Sequence, residues 1–319
     1  MPRINFKLHI LRINMNQIMK KLLLGMLGVV LALGAQAKLN IVVTTPDLAS
    51  IAKEVGGDKV EITTLARPTE DPHFVDAKPS FIVKLNKADA LIEGGAELEI
   101  GWLPSLLSGA RNPKLASGQP GRILCNEGIQ MLEVPSQMTR AEGDIHPLGN
   151  PHFAIDPGNA RIIAAHLTDA FAKLDPSSAE VFRANGKKFT DALDAKLVEW
   201  QARLAPFKGA KVVSYHKSWP YFAGRFGLEM DLFLEPKPGI PPSPAHLAEI
   251  IAKMNEQHAR VIIVDPYLNR KTAETVARST EAKVVDVAQM PGGVKGTDGY
   301  IALVDYLVNS IATAFAEKK

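Results

Sequence analysis

The chain has 319 residues, 46% hydrophobic and 22% charged, as in an ordinary globular protein long enough for two domains. Five of its 37 Lys and Arg fall in the first 37 residues, leaving 32 against 34 Asp and Glu in the remainder, about −2. That near-balance excludes a nucleic-acid footprint, and the single cysteine, Cys125, excludes an internal disulfide.

The first 37 residues stand apart. Arg3, Lys7, Arg12, Lys20 and Lys21 precede an apolar run from Leu22 to Leu33, and Ala35-Gln36-Ala37 has the small-x-small pattern of a cleavage site. The run is short for a membrane span, so this reads as a secretory signal peptide cleaved after Ala37. The charged region is long, which makes Met15 and Met19 alternative starts to Met1. No cysteine stands at the cleavage site, so a lipid anchor is not expected and the expected location is the periplasm.

Leu39 to Thr45 reads as a buried strand, Leu48 to Val55 as a short helix, and Val60 to Leu65 as a second strand. A Pro- and Asp-rich loop, Arg67 to His73, follows. Pro79 to Lys87 then reads as a helix, Ala90 to Glu93 as a strand, Trp102 to Leu107 as a helix and Arg122 to Cys125 as a strand carrying a buried thiol. Residues 133 to 150 have no periodicity and hold Met138, Asp144 and His146. Asp156-Pro157 is a helix start, with Asp as N-cap and Pro in the first turn, for a helix to Leu174. Phe182, Phe189, Leu193, Leu197, Trp200 and Leu204 mark a second, long helix that Pro206 stops, on the order of 40 Å in length.

Alternation then restarts. Lys211 to His216, Glu229 to Leu234, Arg260 to Val264 and Lys283 to Val287 read as strands, with helices such as Pro244 to Glu256 between them and a closing helix from Thr297 to Glu317. Strand–helix alternation implies parallel sheets. The expected fold is therefore α/β, two four-stranded parallel-sheet lobes joined by one long helix, the second lobe echoing the first. The expected divisions are a signal peptide at 1–37, an N-terminal lobe at 38–176, a linking helix at 177–205 and a C-terminal lobe at 206–319.

Eight histidines are present, and His9 lies in the signal peptide. His166, His246 and His258 take ordinary helix positions. His216 ends a strand, His73 follows one by a short loop, and His152 sits in a Pro-stiffened loop before a helix. Open α/β sheets bind ligands beyond the carboxyl ends of their strands. Asp298 lies beyond the last strand at the start of the closing helix, where it is equally explained as a dipole-favoured first-turn acid.

Thr69-Glu70-Asp71-Pro72-His73-Phe74, followed by Lys78-Pro79-Ser80, resembles the first metal-ligand motif of the ZnuA/TroA family, the periplasmic zinc- and manganese-binding proteins of ABC transporters. Asn150-Pro151-His152-Phe153-Ala154-Ile155-Asp156-Pro157 resembles the second, Ser214-Tyr215-His216-Lys217-Ser218-Trp219-Pro220 the third, and Gly296-Thr297-Asp298-Gly299-Tyr300 the region of the fourth. The resemblance runs from about Leu39 to the C-terminus. It implies metal held in the cleft between two lobes by His73, His152, His216 and Asp298, a membrane permease as partner, and no enzymatic activity. A monomer is expected, with a periplasmic metallochaperone as a second candidate partner.

Three imidazoles and one carboxylate suit Zn²⁺. Manganese-tuned members of the family often carry a carboxylate at the third position, where this chain has His216, so zinc is expected over Mn²⁺. Four protein ligands would leave no position for an activated water. The alternatives are a manganese-binding homologue, a metal-binding adhesin or sequestering protein without a permease, and a secreted zinc hydrolase using Glu70 or Asp71 as base. Many zinc-specific members have a long His/Asp-rich loop before the second ligand; here Asp144-Ile145-His146 stands in a shorter one. His146 is expected either as a solvated loop residue or as a transient metal-acquiring arm.

Overall fold

The computed structural model describes residues 38–136 and 146–317. The expected signal peptide, Met138 and Asp144 lie outside the described residues. Eight strands form two four-stranded, wholly parallel sheets. The first contains β1 (Leu39–Val43), β2 (Val60–Thr64), β3 (Ala90–Glu93) and β4 (Arg122–Leu124) in the order β2-β1-β3-β4. The second contains β5 (Lys211–Ser214), β6 (Glu229–Phe233), β7 (Val261–Val264) and β8 (Lys283–Asp286) in the order β6-β5-β7-β8. The echo expected from the alternation is thus a repeat of topology. Ile41 lies opposite Ile62 and Ala90 in the first sheet, and Val213 opposite Leu232 and Ile262 in the second.

The helices are α1 (Pro46–Gly56), α2 (Pro79–Lys87), α3 (Leu103–Ala110), α4 (Pro157–Leu174), α5 (Ala179–Leu204), α6 (Pro220–Phe226), α7 (Pro244–Glu256), α8 (Arg270–Thr280) and α9 (Tyr300–Ala316). Strand side chains alternate between faces, and both faces of the inner strands β1, β3, β5 and β7 are covered, which is why these read as mainly apolar runs. Ile41, Val43 and Ile92 point one way, into a core that also takes Val212, Val261 and Ile263 of the second sheet. Val42 and Leu91 point the other way, against Phe81 and Leu85 of α2 and Leu106 of α3. Val213 and Ile262 face Met254 of α7 and Val276 of α8.

The central core is continuous from one sheet to the other. α5, with 26 residues and roughly 39 Å of length, lays Phe182, Phe189, Leu193, Trp200 and Leu204 along it. Polar struts cross the same region. Asp156 caps α4 by accepting from Gly158 N at 2.8 Å, and it receives Arg225 of α6 in a bidentate pair at 2.7 and 2.9 Å. A Cβ at Gly158 would run into the Arg225 guanidinium, so a larger residue there would require Arg225 to shift. Tyr300 of α9 donates its hydroxyl to Ala154 O at 2.6 Å, and Tyr221 of α6 donates to Asn150 O at 2.8 Å. A shared core with several buried struts opposes wide hinge motion.

Replacing Asp156 with Ala removes a cap and leaves a half-buried guanidinium unpaired, so we expect a loss of about 2–4 kcal/mol in denaturant unfolding. A loss below about 0.5 kcal/mol would mean that the pair carries no load between the sheets.

Candidate metal centre

The parallel strands of each sheet deliver their carboxyl ends to one side, and three imidazoles converge there. Two are built by the same device. In Asp71-Pro72-His73, Asp71 Oδ1 accepts from His73 N at 2.9 Å; in Asn150-Pro151-His152, Asn150 Oδ1 accepts from His152 N at 3.0 Å. Each is an Asx turn stiffened by proline, which fixes where the histidine leaves the backbone. Trp102 anchors the first turn by donating Nε1 to Pro72 O at 2.9 Å. Asn150 anchors the second by donating Nδ2 to Lys217 O at 2.8 Å, tying it to the segment after β5. That segment supplies His216, whose carbonyl accepts from Ser214 Oγ at 2.8 Å.

Ligand nitrogens of His73, His152 and His216 all lie within 4.8 Å of one another. Their ring centroids are 5.0 Å (His73–His152), 5.6 Å (His73–His216) and 5.4 Å (His152–His216) apart. A Zn–N bond of about 2.1 Å plus about 1.1 Å to the ring centre puts tetrahedral imidazole ligands about 5.2 Å apart, centre to centre. The triad has that spacing before any ion enters.

Each ring is also oriented from behind. His73 Nδ1 is 2.9 Å from Asp71 Oδ1, and His216 Nδ1 is 2.7 Å from Glu235 Oε2. A carboxylate on one ring nitrogen fixes the proton there and leaves the other nitrogen basic. Gln289 lines the same cavity as the His152 ring, and its Nε2 is 2.7 Å from Tyr267 Oη. His152 Nε2 is buried with no hydrogen-bond partner among the described residues. A buried acceptor without a partner is costly, and a metal ion would satisfy it. The donor set and this orphaned nitrogen fit a divalent cation.

Burial, and then the neighbouring His73 and His216, hold His152 well below the ordinary imidazole pKa. Burial likewise, with the same neighbours, lowers His146 to about 4. For Asp71, burial pushes upward, but the hydrogen bond and charge of His73 outweigh it and the carboxyl stays below the usual range. Asp71 is therefore engaged with a ring, and Glu70 accepts from Arg67 N at 3.0 Å. Neither is arranged as the free base that a hydrolase would need.

Asp298 is not brought to the histidines. It is exposed and lines a different cavity with Ser50, Lys53, Thr64 and Pro291. The chain passes the site immediately after β8, where Gln289 and Met290 share a cavity with His152, and then turns away. Gly292 N bonds Thr297 O at 2.6 Å, closing a turn that carries Asp298 off. Of the three converging histidines, His73 and His152 come from the first half of the chain and His216 from the second. His146, expected either solvated or as a mobile arm, has its Nε2 buried, and its ring centroid lies 5.2 Å from that of His73. Cys125 is buried and its thiol is raised well above its usual pKa, first by burial, which suits a structural thiol.

Several residues that orient the rings are missing from the sequence reading. Glu235 follows β6 much as His216 follows β5, and the strand-end rule applies equally to it. Asp71 and Asn150 each stand two residues before a histidine. Gln289 is the first polar side chain past β8, nearer the strand end than Asp298.

The chain matches the family model described as "ZnuA: Zinc-uptake complex component A periplasmic" over residues 41–314, and it belongs to that family. The class is the metal-binding, substrate-binding protein of an ABC transporter, a transport component and not an enzyme. Among curated relatives, the iron-binding protein YfeA of Yersinia pestis is 26% identical over 290 residues, 88% of this chain and 87% of YfeA. The manganese ABC transporter substrate-binding lipoprotein PsaA of Streptococcus pneumoniae is 22% identical over 289 residues, 88% of this chain and 90% of PsaA. A crystal structure of ZnuA superimposes with a TM-score of 0.73 at 24% identity, covering 87% of this chain and 99% of that one, a likeness of fold.

His152 must stay neutral in the fold while an unfolded imidazole, with a pKa of about 6.5, takes a proton. Its depressed pKa therefore gives stability that is present above pH 6.5 and lost on acidification. Burial raises Glu99 to about 7 and Asp265 to about 6, and these acids act in the opposite sense. Their share is common to both proteins in a comparison with His152→Gln. We expect the metal-free variant to lose about 2 kcal/mol less than wild type between pH 7.5 and pH 5. Identical pH dependence in thermal melts would contradict a buried neutral His152.

Proposed function

We propose that this protein captures Zn²⁺ and delivers it to the permease of an ABC transporter. The observation that carries the reading is the convergence of His73, His152 and His216 at tetrahedral imidazole spacing, with Asp71 and Glu235 fixing the protons of two of them. Relatives named for iron and for manganese show that the family alone does not choose the metal. The donor set supports zinc: nitrogen ligands at tetrahedral spacing suit it, whereas Mn²⁺ favours more oxygen. In this reading residues 1–37 are an export signal removed after Ala37 and the mature protein works in the periplasm as a monomer. Lobes at 38–176 and 206–319 flank a linking helix at 177–205, and metal arrives directly or through a metallochaperone. The ion then joins the loops after β2 and before α4 to the segment after β5.

Calorimetry with Zn²⁺ and Mn²⁺ tests this. Wild type should take one Zn²⁺ tightly and Mn²⁺ weakly. His216→Ala should lose at least about 100-fold in zinc affinity, and Glu235→Ala about 10–100-fold through the freed ring. Tight zinc binding that survives His216→Ala would sink the assignment, and a Mn²⁺ affinity above that for Zn²⁺ would reverse the choice of metal.

A further inference from the structure

With Asp298 directed elsewhere, three histidines account for three positions of a tetrahedral metal. We propose that His146 supplies the fourth, closing an all-imidazole site. The inference rests on the metal-capture reading and deepens it by naming the ligand that completes the shell and favours zinc.

The first observation is the condition of the ring itself. His146 Nε2 is buried and without a hydrogen-bond partner among the described residues, as is His152 Nε2. The Glu97 backbone stands beside the ring, as an outer partner stands beside each ring of the triad, and Nε2 is left over. His73 has Asp71 in this role, His216 has Glu235, and His152 has Gln289. Such an outer partner is the habit of metal-binding histidines.

The second observation is where that partner sits. Glu97 has φ 65° and Ala96 before it φ 52°, left-handed conformations that non-glycine residues seldom adopt. The turn is pinned by buried Glu99, which accepts from Gly94 N at 2.7 Å and from Thr44 Oγ1 at 2.7 Å. A strained turn locked in this way presents the Glu97 backbone to His146.

The third is position. The His146 ring centroid is 5.2 Å from that of His73, the spacing found within the triad. His146 shares the mouth of the site with Glu133, Asn150, His152, His216 and Lys217. It stands outside the three-way cluster, so binding requires it to close toward His152 and His216. Asn150 Nδ2, 3.0 Å from Glu133 Oε2, and Lys217 Nζ, 2.9 Å from Glu133 Oε1, hold the chain that leads into this segment. Four nitrogen donors leave no oxygen in the shell, which favours zinc further over Mn²⁺.

The test is X-ray absorption at the zinc edge on the full-length protein loaded with one equivalent of Zn²⁺, for wild type, His146→Ala and His146→Cys. The expected shells are four imidazoles in wild type, three imidazoles and one oxygen in His146→Ala, and three imidazoles and one sulfur at about 2.3 Å in His146→Cys. Zinc affinity should fall tenfold or more in His146→Ala. Three imidazoles and an oxygen in wild type, unchanged in His146→Ala, with no sulfur in His146→Cys, would overturn the fourth ligand while leaving the capture function standing. A wild type that takes up no zinc would overturn the capture function itself.

Discussion

Bringing several imidazoles within ligand distance of one another in a cleft strips water from ring nitrogens that no protein group replaces. His152 Nε2 and His146 Nε2 bear that cost openly. A divalent cation offsets it, because only a Lewis acid satisfies several lone pairs aimed at one point. The rest of the architecture serves to keep those lone pairs aimed. Asp71, Glu235, Gln289 and the Glu97 backbone orient the rings, and two Asx-Pro-His turns fix where two of the rings begin. The sheets place the bearing loops at their carboxyl ends.

That precision depends on the two sheets not drifting relative to each other. One apolar core runs from Ile41 and Val43 through α5 to Val212 and Ile263, so separating the halves would expose its centre. Asp156–Arg225, Tyr300–Ala154 and Tyr221–Asn150 add directional bonds across it. Metal exchange in such a frame relies on movement of side chains and loops near the mouth, where His146, Glu133 and Lys217 lie. A carrier must release its cargo, and the proposed fourth ligand, outside the sheet-anchored triad, would be the first to leave.

Most of the fold is legible in the letters because parallel strands buried on both faces are short, unbroken apolar runs bounded by Gly, Pro and Asp. Leu39–Val43 and Val261–Val264 are unambiguous for that reason, and the 3.6-residue pattern from Phe182 to Leu204 is equally plain. His216 and His73 are legible from their places after strands, and His152 from its Pro-stiffened loop before a helix. Asp298 is ambiguous in sequence because an acid at a helix start and a metal carboxylate look alike; in the structure it stands just before α9, beyond the turn closed by Gly292 and Thr297 and away from the histidines. Glu235 and Gln289 escaped notice because their role is to touch a ring, not an ion, and no spacing announces a contact between distant loops. For His146 the sequence leaves two readings open, a solvated loop residue or a metal-acquiring arm, because its burial beside His73 depends on contacts between distant loops that no spacing announces.

The central claim is that the histidines meeting between the two sheets hold the cargo. An anomalous difference map at the zinc edge, from crystals of the zinc-loaded protein, tests it most directly. The account predicts one dominant peak about 2.0–2.2 Å from a ring nitrogen of each of His73, His152 and His216. A dominant peak at Asp298, or anywhere that leaves these three rings unliganded, would contradict it.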